Sequence, residues 1–544
     1  MIFTRSLFSR IATVAAGALI CALCITNMIA WHAATDLSRL PAPRRYWEDL
    51  SMATANFLAA AQPTGSPRLS INDGRAQDYR RQLQGYVVKT VKAHEIRPWE
   101  FWRTIPIEPA FNSGPLRARK NDDPGRSLLL TAAFRLRGGV APFLPLWLGL
   151  LAALPVFAWT IWLFAAAGRR CAALVLLLCC ACSPFFVDAL ALPYSALGFY
   201  VLALVVLAGL SVYAFLGSHR SVLSHVATML VSGVFFSICV LCRGGTLLML
   251  PAFALAVCVA AVRVQRAVTP PIPPSERPLR RWRRWTQPLV AVAASLALFL
   301  GPHLATFRPN HHHEIWLGVW EGLGDFDRTK GHAWSDDVVR NVLRQEGIVV
   351  SGGDPVWLYP GLTEPVFKKR VIASVRDDPA WYAEILLKRL FVTITQWKLL
   401  PYGPQDGISM TPAQHPSQGF VDMYYALTTT ADWLGLGRWR AEMPLPLLWS
   451  PLLLLPLFAL APSRLTSLAA LRDKARASLK VTGCVALGAL GLPLAITTAS
   501  AIETEAFVIV YYLGLAFLLD SLPQATSTDR GPSAPRSLDP SALV

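Results

Sequence analysis

Long apolar runs, nearly free of charge, constrain this chain more than any other feature. About 20 apolar residues in helical form span the hydrocarbon core of a bilayer. Inside that core every backbone polar group must be paired within the segment, so such a run is expected to be a helix. Ten runs are read, at 9–31, 140–167, 171–192, 195–217, 221–242, 244–262, 286–306, 444–462, 480–499 and 506–522. Only 16% of the 544 residues are charged, against roughly 25% in soluble domains. The fold class expected is an all-α polytopic membrane protein: a bundle of about ten transmembrane helices with two large external loops.

The formal charge of +17 is distributed in a way that orients the bundle. Arg169-Arg170, His219-Arg220, the segment from Arg263 to Arg284 and the segment from Arg464 to Lys480 are short, basic connections. Seven arginines between Arg263 and Arg284 face a single acid, Glu276. Positive residues in short loops mark the cytoplasmic side. With the N-terminus inside, all these connections and the C-terminus fall on that side, and the long connections 32–139 and 307–443 fall outside. The expected location is the inner (plasma) membrane of a bacterium, multi-pass, with both termini cytoplasmic. Nucleic acid is not an expected partner, because no basic face carries a recognition motif.

The chain divides accordingly into an N-terminal anchor (1–31), a first external loop (32–139), a six-helix region (140–306) with its basic loop at 263–285, a second external loop (307–443), a three-helix region (444–522) and a polar tail (523–544) expected to be disordered. Arg5 and Arg10 precede the apolar core of the first run, and that core, of about 20 residues, exceeds the 7–15 of a signal peptide, so it is read as an uncleaved anchor. All ten cysteines lie in or beside apolar runs, and the loops are expected to fold without disulfides. The cluster Cys179-Cys180-Ala181-Cys182 reads as helix packing. In the second loop, Pro379 to Trp397 carries Glu384, Lys388 and Arg389 at its middle. That pattern predicts an interfacial helix, capped by Asp378 and opened by Pro379, in preference to a span.

Chemistry is most concentrated at Asn121-Asp122-Asp123-Pro124-Gly125, just before an amphipathic stretch and the second span. Asp before Pro is a common helix N-cap, which accounts for Asp123 and a helix beginning at Pro124. Asp122 is left over, and a carboxylate there can act as a general base or orient a nucleophile. Asp325-Phe326-Asp327 has the D-x-D spacing of some metal and diphosphate sites, although Gly322 and Gly324 also spell an ordinary turn. Asp336 and Asp337 are expected to cap a helix over 338–346. Asp188 stands near an outer helix end, where an ionisable group suggests function; the alternative is a place in the wet turn close to Pro193. Glu503 and Glu505 fall in the last external turn, as acceptor or metal contacts or as solvated acids. His311-His312-His313 with Glu314 reads as a solvated run beside the membrane, because adjacent histidines point different ways.

In order, these pieces resemble the GT-C superfamily, integral-membrane glycosyltransferases of the protein mannosyltransferase and lipid A aminoarabinose transferase type. The resemblance rests on the acidic pair, on Leu128 to Leu136 ending in Gly138-Gly139, and on Ala141-Pro142. It continues through Pro184-Phe185-Phe186-Val187-Asp188, Pro193-Tyr194-Ser195 and Arg243-Gly244-Gly245-Thr246, covering about residues 1–310. Beyond these, Trp316 to Trp320, Gly322-Leu323-Gly324 and Trp334-Ser335-Asp336 are similar to the second loop of bacterial members. The second acid of the family is often Glu before an aromatic residue, whereas here Asp123 precedes Pro-Gly.

The resemblance implies inverting transfer of a sugar from a polyprenyl-phosphate donor to a glycan, lipid or protein acceptor at the external face. Asp122 or Asp123 would be catalytic, with Asp122 preferred. Arg243, then Arg126, would bind the departing phosphate, with lipid headgroup contact or a helix-end anchor as the alternative for each. Asp188, Asp325, Asp327, Asp336 and Glu503 are candidate donor or acceptor contacts. No organic cofactor is expected and a divalent metal stays open; membrane lipids are expected partners. Two other classes compete: a transporter or flippase of a lipid-linked intermediate, although no internal repeat is apparent, and a non-catalytic assembly subunit of the same fold.

Overall fold

The computed structural model describes residues 2–33, 43–59, 68–69, 74–107, 117–118, 125–191, 197–217, 221–269, 280–306, 315–326, 330–333, 335–349, 360–395, 445–460, 466–497 and 506–521. Seven of the described helices hold a stretch long and apolar enough to cross a membrane: Ala12–Ile29, Leu144–Ala166, Gly198–Leu216, Val222–Cys242, Gly244–Val268, Thr286–Ala305 and Arg472–Ala495. The protein is therefore an all-α, multi-pass membrane protein. Its helices are α1 (Ile2–Ala33), α2 (Pro43–Ala59), α3 (Gly74–Ala93), α4 (Gly125–Arg137), α5 (Leu144–Ala166), α6 (Arg170–Cys182), α7 (Pro184–Ala191), α8 (Leu197–Leu216) and α9 (Val222–Cys242). A 3₁₀ turn (Gly244–Met249) leads to α10 (Leu250–Val268) and α11 (Arg280–Thr306). A second helical unit follows: α12 (Ile315–Gly322), α13 (Asp336–Gln345), α14 (Pro360–Asp377) and α15 (Pro379–Thr395). The chain returns to the bundle with α16 (Leu445–Leu460), α17 (Thr466–Ala495) and α18 (Val508–Ser521).

Local sequence explains where these helices begin and end. Pro145 sits in the first turn of α5, where its missing N–H leaves no bond unmade. Ser221 caps α9, its hydroxyl accepting the Ser224 N–H at 3.4 Å. The run read as one span over 171–192 is instead two helices, α6 and α7. Ser183 breaks it: its backbone is extended, Pro184 cannot continue the α6 ladder, and the Ser183 hydroxyl accepts the Phe186 N–H at 3.3 Å. Helix α6 has 13 residues, about 20 Å of rise at 1.5 Å per residue, short of a 30 Å core. The two other expected spans outside the seven, 444–462 and 506–522, form α16 and α18 of 16 and 14 residues.

Helix α8 is buried almost end to end and packs against α5, α9, α10 and α17. Without water between helices, close van der Waals approach holds such a bundle. Gly149 of α5 provides one such approach, lying against the Leu190 backbone of α7. At one end of the bundle Arg169 pairs with Asp520 at 2.8 Å, and Arg263 donates to the carbonyls of Ala214 and Gly217 at 2.8 and 3.3 Å. Two of the basic connections are thus tied to neighbouring helix ends.

The opposite end carries both helical loops. In the first, α2 and α4 pack together and onto the bundle. Tyr46 donates to the Pro142 carbonyl at 2.5 Å, and Trp147 Nε1 to that of Pro98 at 2.7 Å. Burial pushes the Tyr46 phenol well above its ordinary pKa. The second unit has its own core, including Trp320, Leu323, Val339, Leu343, Phe367 and Ile385. Asp378 caps α15 as its Asp-Pro pair predicts, Oδ1 accepting the Trp381 N–H at 3.0 Å. The cap of α13 differs: Ser335 occupies the N-cap position and the helix starts at Asp336, not at residue 338.

Candidate functional site

The C-terminus of α9 is where the motifs meet. The Arg243 N–H closes the helix on the Cys239 carbonyl at 2.8 Å. Its backbone then turns extended (φ −147°, ψ 101°) and the 3₁₀ turn begins at Gly244. Arg243 is half-buried at this corner, and the Thr246 N–H bonds back to its carbonyl at 3.0 Å. Helix α4 begins at the same place. A Cβ built on Gly125 would stand 2.6 Å from both the Cys242 nitrogen and the Leu241 carbonyl carbon. The last residue of the Asp122-Asp123-Pro124-Gly125 motif is thus pressed against the residue preceding Arg243.

A Gly125→Ala substitution is expected to lower stability by about 1–3 kcal/mol, because the obstructing atoms are backbone and cannot rotate away. A thermal unfolding midpoint unchanged from the native protein would contradict this packing.

Arg126 is next along α4 and has a different task. It is 4% exposed, its Nε donating to Asp49 Oδ2 at 2.7 Å and its Nη2 to the Pro145 carbonyl at 3.2 Å. It ties α4 to α2 and α5, which argues for an anchor over a phosphate ligand. Asp49, together with Glu48 that pairs with Arg80 at 3.2 Å, was not singled out from sequence. The signal available was an acidic pair, Glu48-Asp49, set in an amphipathic segment.

Asp325 is also engaged. It is fully buried, with Oδ2 accepting from Arg389 Nε at 3.1 Å and Oδ1 from the Thr497 hydroxyl at 2.7 Å. Arg389 donates further to the carbonyls of Gly322 (2.6 Å) and Leu494 (3.0 Å). The mid-segment charge of α15 therefore points into the protein and joins the second unit to the end of α17. With both oxygens of Asp325 occupied, its geometry favours a structural ion pair over a metal or diphosphate contact.

Asp122, Asp123, Asp327, Glu503, Glu505 and the His311–Glu314 run lie outside the described residues. Asp188 lies in α7 and Asp336 opens α13, and the side chains of both are likewise outside. Among the described residues no group of three or more His, Cys, Asp or Glu is arranged to hold a metal ion, and all ten cysteines are free. Of the exposed acids, Asp378 is held below the usual carboxylate pKa by its hydrogen bond from Lys330 and that from the Trp381 N–H. Neither protein-family models, nor curated proteins, nor solved structures match this chain.

Proposed function

We propose that this chain is a membrane glycosyltransferase of the GT-C type. It moves a sugar from a polyprenyl-phosphate donor to a glycan, lipid or protein acceptor at the external face of a bacterial inner membrane, inverting the anomeric centre. The observation that carries the reading is the contact of Gly125 with Cys242, beside Arg243. Asp122 precedes Gly125 by three residues, a reach of about 11 Å at most. That length of chain allows the Asp122 carboxylate to reach the corner that holds Arg243, at the end carrying the large loops.

The chemistry needs both. The carboxylate takes the proton of the acceptor hydroxyl as it attacks the anomeric carbon. The guanidinium meets the charge growing on the departing phosphate. A wet membrane surface admits the acceptor, while the apolar bundle accommodates the polyprenyl chain. Asp122 is assigned as the base and Arg243 as the phosphate-binding group.

The test is the full-length protein in liposomes with a radiolabelled polyprenyl-phosphate sugar. Formation of a glycosidic product supports the proposal. A second reading, a flippase, draws on the break between α6 and α7 at Ser183-Pro184, since broken helices mark many transporters. Movement of labelled lipid between leaflets without a glycosidic product would establish that reading instead. Sidedness has its own check: a reporter fused at Pro274 is expected to be cytoplasmic and one at Gly353 external. Both on one side would overturn the orientation.

A further inference from the structure

The second helical unit holds a cavity of about 400 Å³ lined by none of the residues at the Gly125–Arg243 corner. Its size falls within the range of roughly 300–1,000 Å³ typical of small-molecule sites. Two helices wall it. Helix α13 supplies Asn341 and Gln345, one turn apart, and α14 supplies Arg370, Ser374 and Asp377 from one face. The 330–332 segment completes the lining with Lys330 and the buried His332. His332 is fixed by rings on both sides, edge-on to Trp320 at 5.2 Å and stacked on Trp381 at 5.7 Å.

The charges around this cavity are matched. Lys330 pairs with Asp378 at 2.7 Å and Arg370 with Glu346 at 2.9 Å. Lys330 and Arg370 are the cations of the lining and Asp377 its acid, and beside the lining Arg344 donates to Asn341 Oδ1 at 3.1 Å. An anionic ligand would find Lys330 and Arg370 already paired with carboxylates. A neutral ligand rich in hydroxyls would find the amide N–H groups of Asn341 and Gln345, whose oxygens accept from Arg344 and Arg370 at 3.1 and 3.4 Å and keep a second lone pair, beside a Ser374 hydroxyl bonded to His332 Nε2 at 3.4 Å.

We infer that this cavity binds a neutral saccharide, and that it docks the acceptor glycan away from the transfer site. The docking role rests on the glycosyltransferase reading; the binding does not. Full-length protein in nanodiscs is probed by saturation-transfer NMR with maltotriose, cellotriose, α-mannotriose and chitotriose, and with inorganic phosphate as the anionic control. At least one trisaccharide is expected to bind, and Asn341→Leu with Gln345→Leu is expected to weaken it by about tenfold or more. Both side chains are exposed, so the unfolding midpoint of this double variant should equal that of the native protein. Binding of none of the four, binding undiminished by the double variant, or binding of phosphate in place of sugar would each overturn the inference. Transfer activity without saccharide binding defeats this inference alone; saccharide binding without transfer defeats the functional proposal, and the docking role with it, and leaves the binding site standing.

Discussion

Replacing Asp122 with Asn is expected to lower sugar transfer by about 10²–10⁴-fold, the usual contribution of a positioned general base. The substitution keeps size and shape and removes the proton acceptor. Asp123→Asn provides the internal control, because Asn caps a helix as well as Asp does. If Asp123 only starts α4, that variant retains transfer; if Asp123→Asn abolishes transfer and Asp122→Asn leaves it intact, the two roles are reversed. Arg243→Ala is expected to cost about 10²–10³-fold, as for removal of one donor to a developing oxyanion. Arg243→Lys should recover only part of that loss, since an ammonium keeps the charge without the planar fork that grips two phosphate oxygens. Each variant is read against binding of the labelled donor. Undiminished transfer in both Asp122→Asn and Arg243→Ala would remove the chemical basis of the proposal.

The parts of this protein written in local sequence were legible, and the parts set by distant pairing were not. Seven spans could be read because a helix in lipid needs only a long apolar run. The Asp378 cap was legible because Asp-Pro acts within one turn. The break at Ser183-Pro184 was also local, but a continuous apolar run on both sides outweighed it. Arg126 and Asp325 illustrate the other kind. Their partners, Asp49 and Arg389, are 77 and 64 residues away, and nothing in a one-dimensional pattern joins them. A basic residue beside an acidic motif looks like a phosphate ligand, and two spaced acids look like a metal site, until the fold supplies the opposite charge. Arg389 had announced itself as an arginine inside an apolar helix. Sequence could show that it was costly there without showing what compensated it.

That compensation leads to the largest expected effect on stability. Arg389→Met should destabilise the junction between the second unit and α17 by about 3–5 kcal/mol, because it leaves the Asp325 carboxylate buried without its countercharge. Asp325→Leu alone should cost a similar amount, now with a buried guanidinium left over. The double variant should be markedly more stable than either single one, since a buried ion pair replaced by apolar side chains is often nearly neutral. Hydrogen exchange along α12 to α15 measures the local effect, and the double-mutant cycle isolates the pair from its other contacts. Additive losses would mean that the two side chains do not depend on each other. The same double variant decides what Asp325 is for. If it folds and still transfers sugar, Asp325 holds the external unit in place; if it folds and transfer is lost while Asp122 is intact, Asp325 touches the substrate and the ion pair is only its resting state.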